Sequence, residues 1–371
     1  MIVDLPSQAG KKSNDPVKVL IVDDSAFVRF SVSKQLNEHP EIAVVGVANH
    51  GRDALRAIPE LQPDVVILDV EMPHMDGLTA LRRIMADFPR PVIMFSSRTR
   101  EGASETIQAL MAGAVDFITK PDNRADISGV MKEMTCKILS AARAKVRSVA
   151  PRRSPDSAPR RANRPEGMIR PYQGTTPVVL IGSSTGGPGA LNEIVPALPA
   201  DFPSPVLIVQ HMPAGFTRSL SERLDSFSSL RVREAKHNDP LMVGQALIAP
   251  GGFHMTVDEN DRIALNRNAT VHGVRPAVDV TLTSLVQRFG GNVVAAILTG
   301  MGSDGRYGAF LLRSDGGYVI AEHESTCVVW GMPRSVVEAG AANAILPRPQ
   351  IAPAIEEAVR TLTNRRVPSK G

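Results

Sequence analysis

Between residues 17 and 120 five apolar runs recur: VKVLIVDD, IAVVGVAN, DVVILDV, PVIMFSS and AVDFITKP. Helix-like segments separate them. Continuous apolar runs alternating with helices predict a parallel sheet covered on both faces, hence an α/β fold. In such sheets ligands bind beyond the carboxyl ends of the strands. Asp23 and Asp24 end the first run, Asp69 the third, Ser96 the fourth and Lys120 the fifth. Five polar groups are therefore expected on one rim. Carboxylates that close repel one another unless a cation lies among them, and hard oxygen ligands favour Mg²⁺. A carboxylate beside Mg²⁺ and a lysine, with a hydroxyl nearby, is suited to accept a phosphoryl group, because both cations neutralise the transferring oxygens. The alternative is five separate caps and turn residues.

Those motifs, VDD, LDVEMPHMDG, SS and TKP, resemble a response-regulator receiver domain in order and spacing. The resemblance covers residues 17–140 and implies a (βα)5 receiver. It implies that Asp69 accepts the phosphoryl group, and that Asp24 and Asp69 ligate Mg²⁺ with Asp23 alongside and the Glu71 carbonyl contributing. It makes Ser96 the switch hydroxyl, Phe117 the switch aromatic and Lys120 the phosphate partner.

The chain has 371 residues and a net charge of +4. Residues 141–170 alone carry nine Lys/Arg and two acids, so the rest of the chain is net negative. That segment is rich in Pro, Ala and Ser and poor in large apolar residues. It cannot bury enough surface to offset its ordering entropy, which predicts a linker over 141–176. A basic docking patch is the other reading of it. With the basicity confined there and aromatics at 4%, nucleic-acid binding is disfavoured. No apolar run approaches the ~20 residues of a membrane span, and the N-terminus lacks a signal-peptide pattern. A cytoplasmic protein without membrane insertion is expected. Cys136 and Cys327 have no metal-type spacing and are expected to be reduced thiols.

A second α/β rhythm follows the linker. TTPVVLIGSS, SPVLIVQHMP, GNVVAAILTGMGSDG and GGYVIAE read as buried strands, with shorter strands around ALIAPG, HMTVDE and RIALN. In IGSSTGGPGALNEIVPAL a strand stops at Gly182 and a helix opens at Pro188, which suits a first turn. Leu191, Ile194, Val195 and Leu198 recur at helical spacing, and Pro196 limits the helix. The glycine-rich turn can hold an anion or expose a nucleophile. It lacks the Lys-Ser/Thr of a P-loop and a G-x-G-x-x-G spacing, so nucleotide binding is weakly supported. His211 ends the next strong strand and Asp304 follows a third. A hydroxyl, an imidazole and a carboxylate thus project from three strand ends, as a serine nucleophile requires. His237, His254, His272 and His323 are rival bases, and the serines of the pair are not separated by spacing alone.

Further stretches are IGSSTGGP, QHMPAGFTRSLSERL, ALIAPGGFHM, RPAVDV, ILTGMGSDG and CVVWGMPRSVVEAG. They resemble the catalytic domain of the chemotaxis protein-glutamate methylesterase family, CheB, whose members also carry a leading receiver. The resemblance implies a doubly wound α/β catalytic domain over 177–365. It makes Ser184, the second serine of the pair, the nucleophile, His211 the base and Asp304 the residue that orients it. The Met301 N–H then belongs to the oxyanion site and Thr185 supports the histidine. It implies methyl-ester hydrolysis and glutamine deamidation on methyl-accepting chemotaxis receptors, with no cofactor in that domain. It also implies a chemotaxis histidine kinase as phosphodonor, and a receiver that inhibits until Asp69 is phosphorylated. A binding-only output domain and an esterase for small molecules are the alternatives from other classes.

Overall fold

The computed structural model describes residues 15–97, 99–121, 127–144 and 169–366. Most of the expected linker and of the polar N-terminal tail lies outside the described residues.

The first five apolar runs form β1 (Val17–Val22), β2 (Ile42–Ala48), β3 (Val65–Asp69), β4 (Val92–Ser96) and β5 (Asp116–Thr119). Helices α1 (Ala26–Leu36), α2 (Gly51–Leu61), α3 (Gly77–Asp87) and α4 (Arg100–Met111) connect them, and α5 (Ile127–Ala141) follows. The sheet is parallel in the order β2-β1-β3-β4-β5. Alternation divides each strand between two cores. Leu20, Val22, Val66 and Leu68 pack with Ile58, Leu81 and Ile107. Val19, Ile21, Val65 and Ile67 pack with Leu36, Met134 and Ile138. The strand order reverses between β1 and β3, so Asp23, Asp24 and Asp69 share a switch point. Gly77 is required where it stands: a Cβ there would lie 2.0 Å from the Asp69 carbonyl oxygen.

In the second half of the chain, β6 (Arg170–Pro171) pairs antiparallel with β10 (Met242–Val243). The remaining elements are β7 (Val178–Ser183), α6 (Gly187–Ile194), β8 (Val206–Gln210), α7 (Phe216–Asp225), β9 (Arg231–Glu234) and β11 (Gln245–Ile248). A hairpin of β12 (His254–Val257) and β13 (Ile263–Asn266) follows, then α8 (Val278–Phe289), β14 (Val293–Ile297) and α9 (Arg306–Ser314). The described residues end with β15 (Tyr318–Glu322), α10 (Met332–Glu338), β16 (Ala344–Leu346) and α11 (Ile351–Arg366). Seven strands form one parallel sheet, β16-β15-β14-β7-β8-β11-β9. Val179 and Ile181 face α6, α7 and α11. Val178 and Leu180 face α8, α9 and α10. The sheet is doubly wound, and its strand order reverses at β7 and β14.

The two sheets are joined by packing as well as by chain. Ile107 and Leu110 of α4 and Phe117 of β5 belong to the same buried cluster as Leu191 of α6 and Phe216 and Leu220 of α7. Burial of each such side chain contributes about 1.5–3 kcal/mol. Among the described residues no helix is long and apolar enough to cross a membrane.

Candidate active site and phosphorylation site

β14, β7 and β8 lie side by side, so the residues that follow them are neighbours at one sheet edge. The ladders continue into the loops: His211 N–H donates to Ser183 O at 3.1 Å and Ser184 N–H to Thr299 O at 3.0 Å. His211 Nε2 lies 2.7 Å from Asp304 Oδ2. Each Asp304 oxygen has further donors. Oδ2 accepts from Val278 N at 2.6 Å, and Oδ1 from Asp279 N and Gly305 N, both at 2.9 Å. Val278 and Asp279 open α8, whose amino end carries partial positive charge. Burial works to raise the Asp304 carboxyl, but the His211 hydrogen bond and charge and the α8 N–H groups outweigh it and hold it below the ordinary value.

The two serines of the pair differ in burial. Ser183 is fully buried and its Oγ donates to Gln210 Oε1 at 2.6 Å. Gln210 Nε2 returns to Ser184 O at 2.9 Å and His211 O at 3.1 Å. Ser184 is half-buried, and among the described residues its Oγ forms no hydrogen bond. A Cβ on Gly300 would lie 2.8 Å from the Ser184 Cβ, so the loop that carries Met301 passes directly over the serine. The Met301 N–H has no backbone acceptor among the described residues.

Gln210 was not singled out in the sequence. A glutamine inside an apolar strand, one residue before a candidate base, was the available signal. Glu322 was missed as well. Fully buried, it accepts from Thr299 N at 2.8 Å and pairs with Arg348 at 3.0 Å. Thr299 Oγ1 accepts from Val328 N and Val329 N and donates to Thr185 O. This web fixes the start of the Met301 loop. Of the rival histidines, His254 bonds Ala269 O, and His237 accepts from Leu265 N. His323 bonds Ser325, and His272 pairs with Asp279 at 2.9 Å.

The Thr185 hydroxyl of this cleft bonds across to the first sheet. Thr185 Oγ1, expected to support the histidine, donates to Asp116 Oδ2. Asp116 belongs to the first sheet, and its Oδ1 accepts from Lys137 at 3.1 Å and from Phe117 N at 2.7 Å. Docking of the two halves thus recruits the threonine. Beside it Gly186 N donates to Val115 O at 3.1 Å, and Phe117 lies against Phe216.

At the other rim Lys120 Nζ stands 2.8 Å from Asp69 and 3.0 Å from Asp23. Burial pushes the Asp69 carboxyl up from its ordinary value to about 6, although Lys120 pulls it down. Oxygens of Asp23, Asp24 and Asp69 lie within 4.8 Å of one another. The buried Asp23 Oδ2 has Lys120 Nζ as its cationic neighbour. This all-oxygen donor set, with Asp24 exposed, suits Mg²⁺, which keeps some of its water. The Glu71 side chain accepts from Ser97 Oγ at 3.1 Å and is not one of the clustered carboxylates, which leaves its main chain for a metal. Ser96 departs from expectation in this state. Its hydroxyl is fully buried and meets Thr106 Oγ1 at 2.7 Å and Gly102 O at 3.2 Å, so it is committed to α4 rather than to Asp69.

Comparison with known proteins follows this division of the chain. A family model described as CheB methylesterase matches residues 179–355, and one described as response regulator receiver domain matches residues 19–132. A protein-glutamate methylesterase/protein-glutamine glutaminase of Symbiobacterium thermophilum is 52% identical over 352 residues, 93% of this chain and 97% of that protein. One of Pseudomonas aeruginosa, also so named, is 45% identical over 360 residues, 95% of this chain and 100% of that protein. The crystal structure of the Thermotoga maritima CheB methylesterase catalytic domain aligns with a TM-score of 0.48 at 47% identity. It covers 49% of this chain and 97% of that one.

Proposed function

Because this chain belongs to the CheB methylesterase family and carries a response-regulator receiver, we propose that it hydrolyses glutamate γ-methyl esters on chemoreceptor helices and deamidates glutamine there, through Ser184, His211 and Asp304. The observation that carries this reading is the 2.7 Å contact of His211 with Asp304 beside the uncommitted Ser184 hydroxyl. With Nε2 held by Asp304, His211 offers Nδ1 to the serine proton. Ser184 Oγ attacks the ester carbonyl, and the Met301 N–H faces the oxygen on which charge develops. His211 returns the proton to the departing methanol. Water, activated by the same ring, then frees the glutamate carboxylate. Asp304 stays ionised throughout and stabilises the imidazolium.

The catalytic unit in this reading spans 177–365, the receiver 17–140 and the tether 141–176. The receiver represses the enzyme by holding Thr185, next to the nucleophile, and by seating Phe117 on Phe216. Asp23, Asp24 and Asp69, with the Glu71 carbonyl, would hold Mg²⁺, which neutralises charge on the transferring phosphoryl oxygens when bound. A histidine kinase of the chemotaxis system is the phosphodonor. Phosphoryl-Asp69 draws Lys120 and the Ser96 hydroxyl to itself. Ser96 then leaves Gly102 and Thr106, and α4 loosens against α6 and α7. A 100-fold activation needs ~2.7 kcal/mol of differential stabilisation, the scale of one or two charge-assisted hydrogen bonds.

The test is methanol release from methylated receptor membranes by wild type, Ser184→Ala and Asp69→Ala, with and without a phosphodonor. Ser184→Ala is expected to abolish release and Asp69→Ala to abolish only the stimulation. Full turnover by Ser184→Ala would reject the esterase mechanism in favour of a binding-only output domain.

A further inference from the structure

Among the described residues the exposed large apolar side chains are few, and three of them belong to one stretch. Met301 is 39%, Tyr307 59% and Phe310 52% exposed. The stretch runs from the loop over Ser184, through Asp304, into the first turns of α9. Tyr307 and Phe310 are three apart and share a helix face. The fold does not need them: α9 makes its core contacts through Gly308, Ala309 and Leu312. Beside them opens a cavity of about 370 Å³, lined by His272, Asp279, Ser303, Arg306, Tyr307 and Phe310. Arg306 is exposed and, among the described residues, forms no ion pair.

The receiver approaches from another direction. Its contacts run through Thr185, Gly186 and Phe216, with α4 against α6 and α7. Tyr307 and Phe310 remain open while it is docked.

We propose that Tyr307, Phe310 and Arg306 form a docking surface for the substrate helix, outside the catalytic pocket. The proposal rests on the esterase reading above. Its occupant is an amphipathic helix bearing glutamyl side chains. When one esterified side chain enters at Ser184, neighbouring turns of the same helix, ~5.4 Å apart, pass over the continuation of the Met301 loop. Apolar residues at helical spacing then meet Tyr307 and Phe310, as in other helix-in-groove contacts. Unmodified glutamates on the helix face Arg306, which supplies charge complementarity. The surface discriminates a receptor helix from a free ester, which the three catalytic residues alone do not.

The experiment uses the full chain with phosphodonor and two substrates: a methylated receptor fragment, and N-acetylglutamate γ-methyl ester. Tyr307→Ala/Phe310→Ala is expected to lower kcat/KM on the fragment by about tenfold or more, mainly through KM, which corresponds to ~1.4 kcal/mol. Turnover of the small ester stays unchanged, reporting an intact fold and pocket. Arg306→Glu is expected to raise KM on the fragment and flatten its salt dependence. Unchanged fragment turnover in both variants would overturn the docking surface, as would equal losses on both substrates. A wild-type dimer that the double variant converts to monomer would reassign the patch to self-association. Inability of wild type to hydrolyse either substrate would instead sink the esterase reading, and the docking surface with it.

Discussion

The Phe117 ring of the first sheet lies 4.5 Å from the Phe216 ring of α7, centroid to centroid, tilted by 30°. Both rings are buried. Phe117 lies in β5, the strand that leads to Lys120 beside Asp69, and Phe216 opens α7, the helix that follows the His211 loop. The contact therefore lies between the chemistry of one rim and that of the other.

Loss of this ring pair should release the enzyme without phosphorylation. An aromatic pair contributes about 0.5–1.5 kcal/mol beyond its burial, so Phe117→Ala is expected to raise unphosphorylated methanol release severalfold and to shrink the stimulation by phosphodonor. An unaltered basal rate would show that the stack does not restrain the cleft.

The serines should separate cleanly. Ser184→Ala is expected to reduce turnover by at least ~10⁴-fold with little change in stability. Ser183→Ala leaves Gln210 Oε1 without its donor in a buried site, at a cost of about 1–3 kcal/mol. Its kcat should fall far less. Denaturation midpoints measured beside turnover distinguish the two.

Asp304→Asn keeps the shape but removes the charge that, in the proposed mechanism, stabilises His211 as imidazolium. A loss in kcat of ~10³–10⁴ is expected, with KM little changed. The readout is steady-state methanol release across pH.

Stability should report on Asp69. Its carboxyl is raised in the folded state to about 6 by burial, so folding favours the protonated form. The penalty is absent below the unfolded value and grows as pH rises through about 6. Without divalent cations, Asp69→Asn is expected to stabilise the protein by up to about 3 kcal/mol at pH 8 and hardly at all near pH 4. Urea denaturation at the two pH values checks the sign.

The two thiols should differ in reactivity. Cys136 is exposed, whereas Cys327 is buried and its thiol is pushed up by that burial and by Glu322. A thiol reagent at neutral pH is expected to label one cysteine in the native chain and both after unfolding.

Apolar runs ending on Asp23, Asp24, Asp69, Ser96 and Lys120, and later on Ser184 and His211, with Asp304 in the loop after a further run, were readable directly from residue order. A parallel strand buried on both faces must be continuously apolar, and its first polar residue marks the functional edge. Local pattern thus determined the α/β class and which side chains reach the two rims. Periodicity carries no information about partners distant in the chain. The bond from Thr185 to Asp116, the commitment of Ser96 to Thr106 and the burial of Ser183 against Gln210 exist only because separate elements pack together. A hydroxyl in a strand-end turn bonds whichever acceptor docking brings to it. That choice, made by tertiary contact, decided which hydroxyl stays available for chemistry.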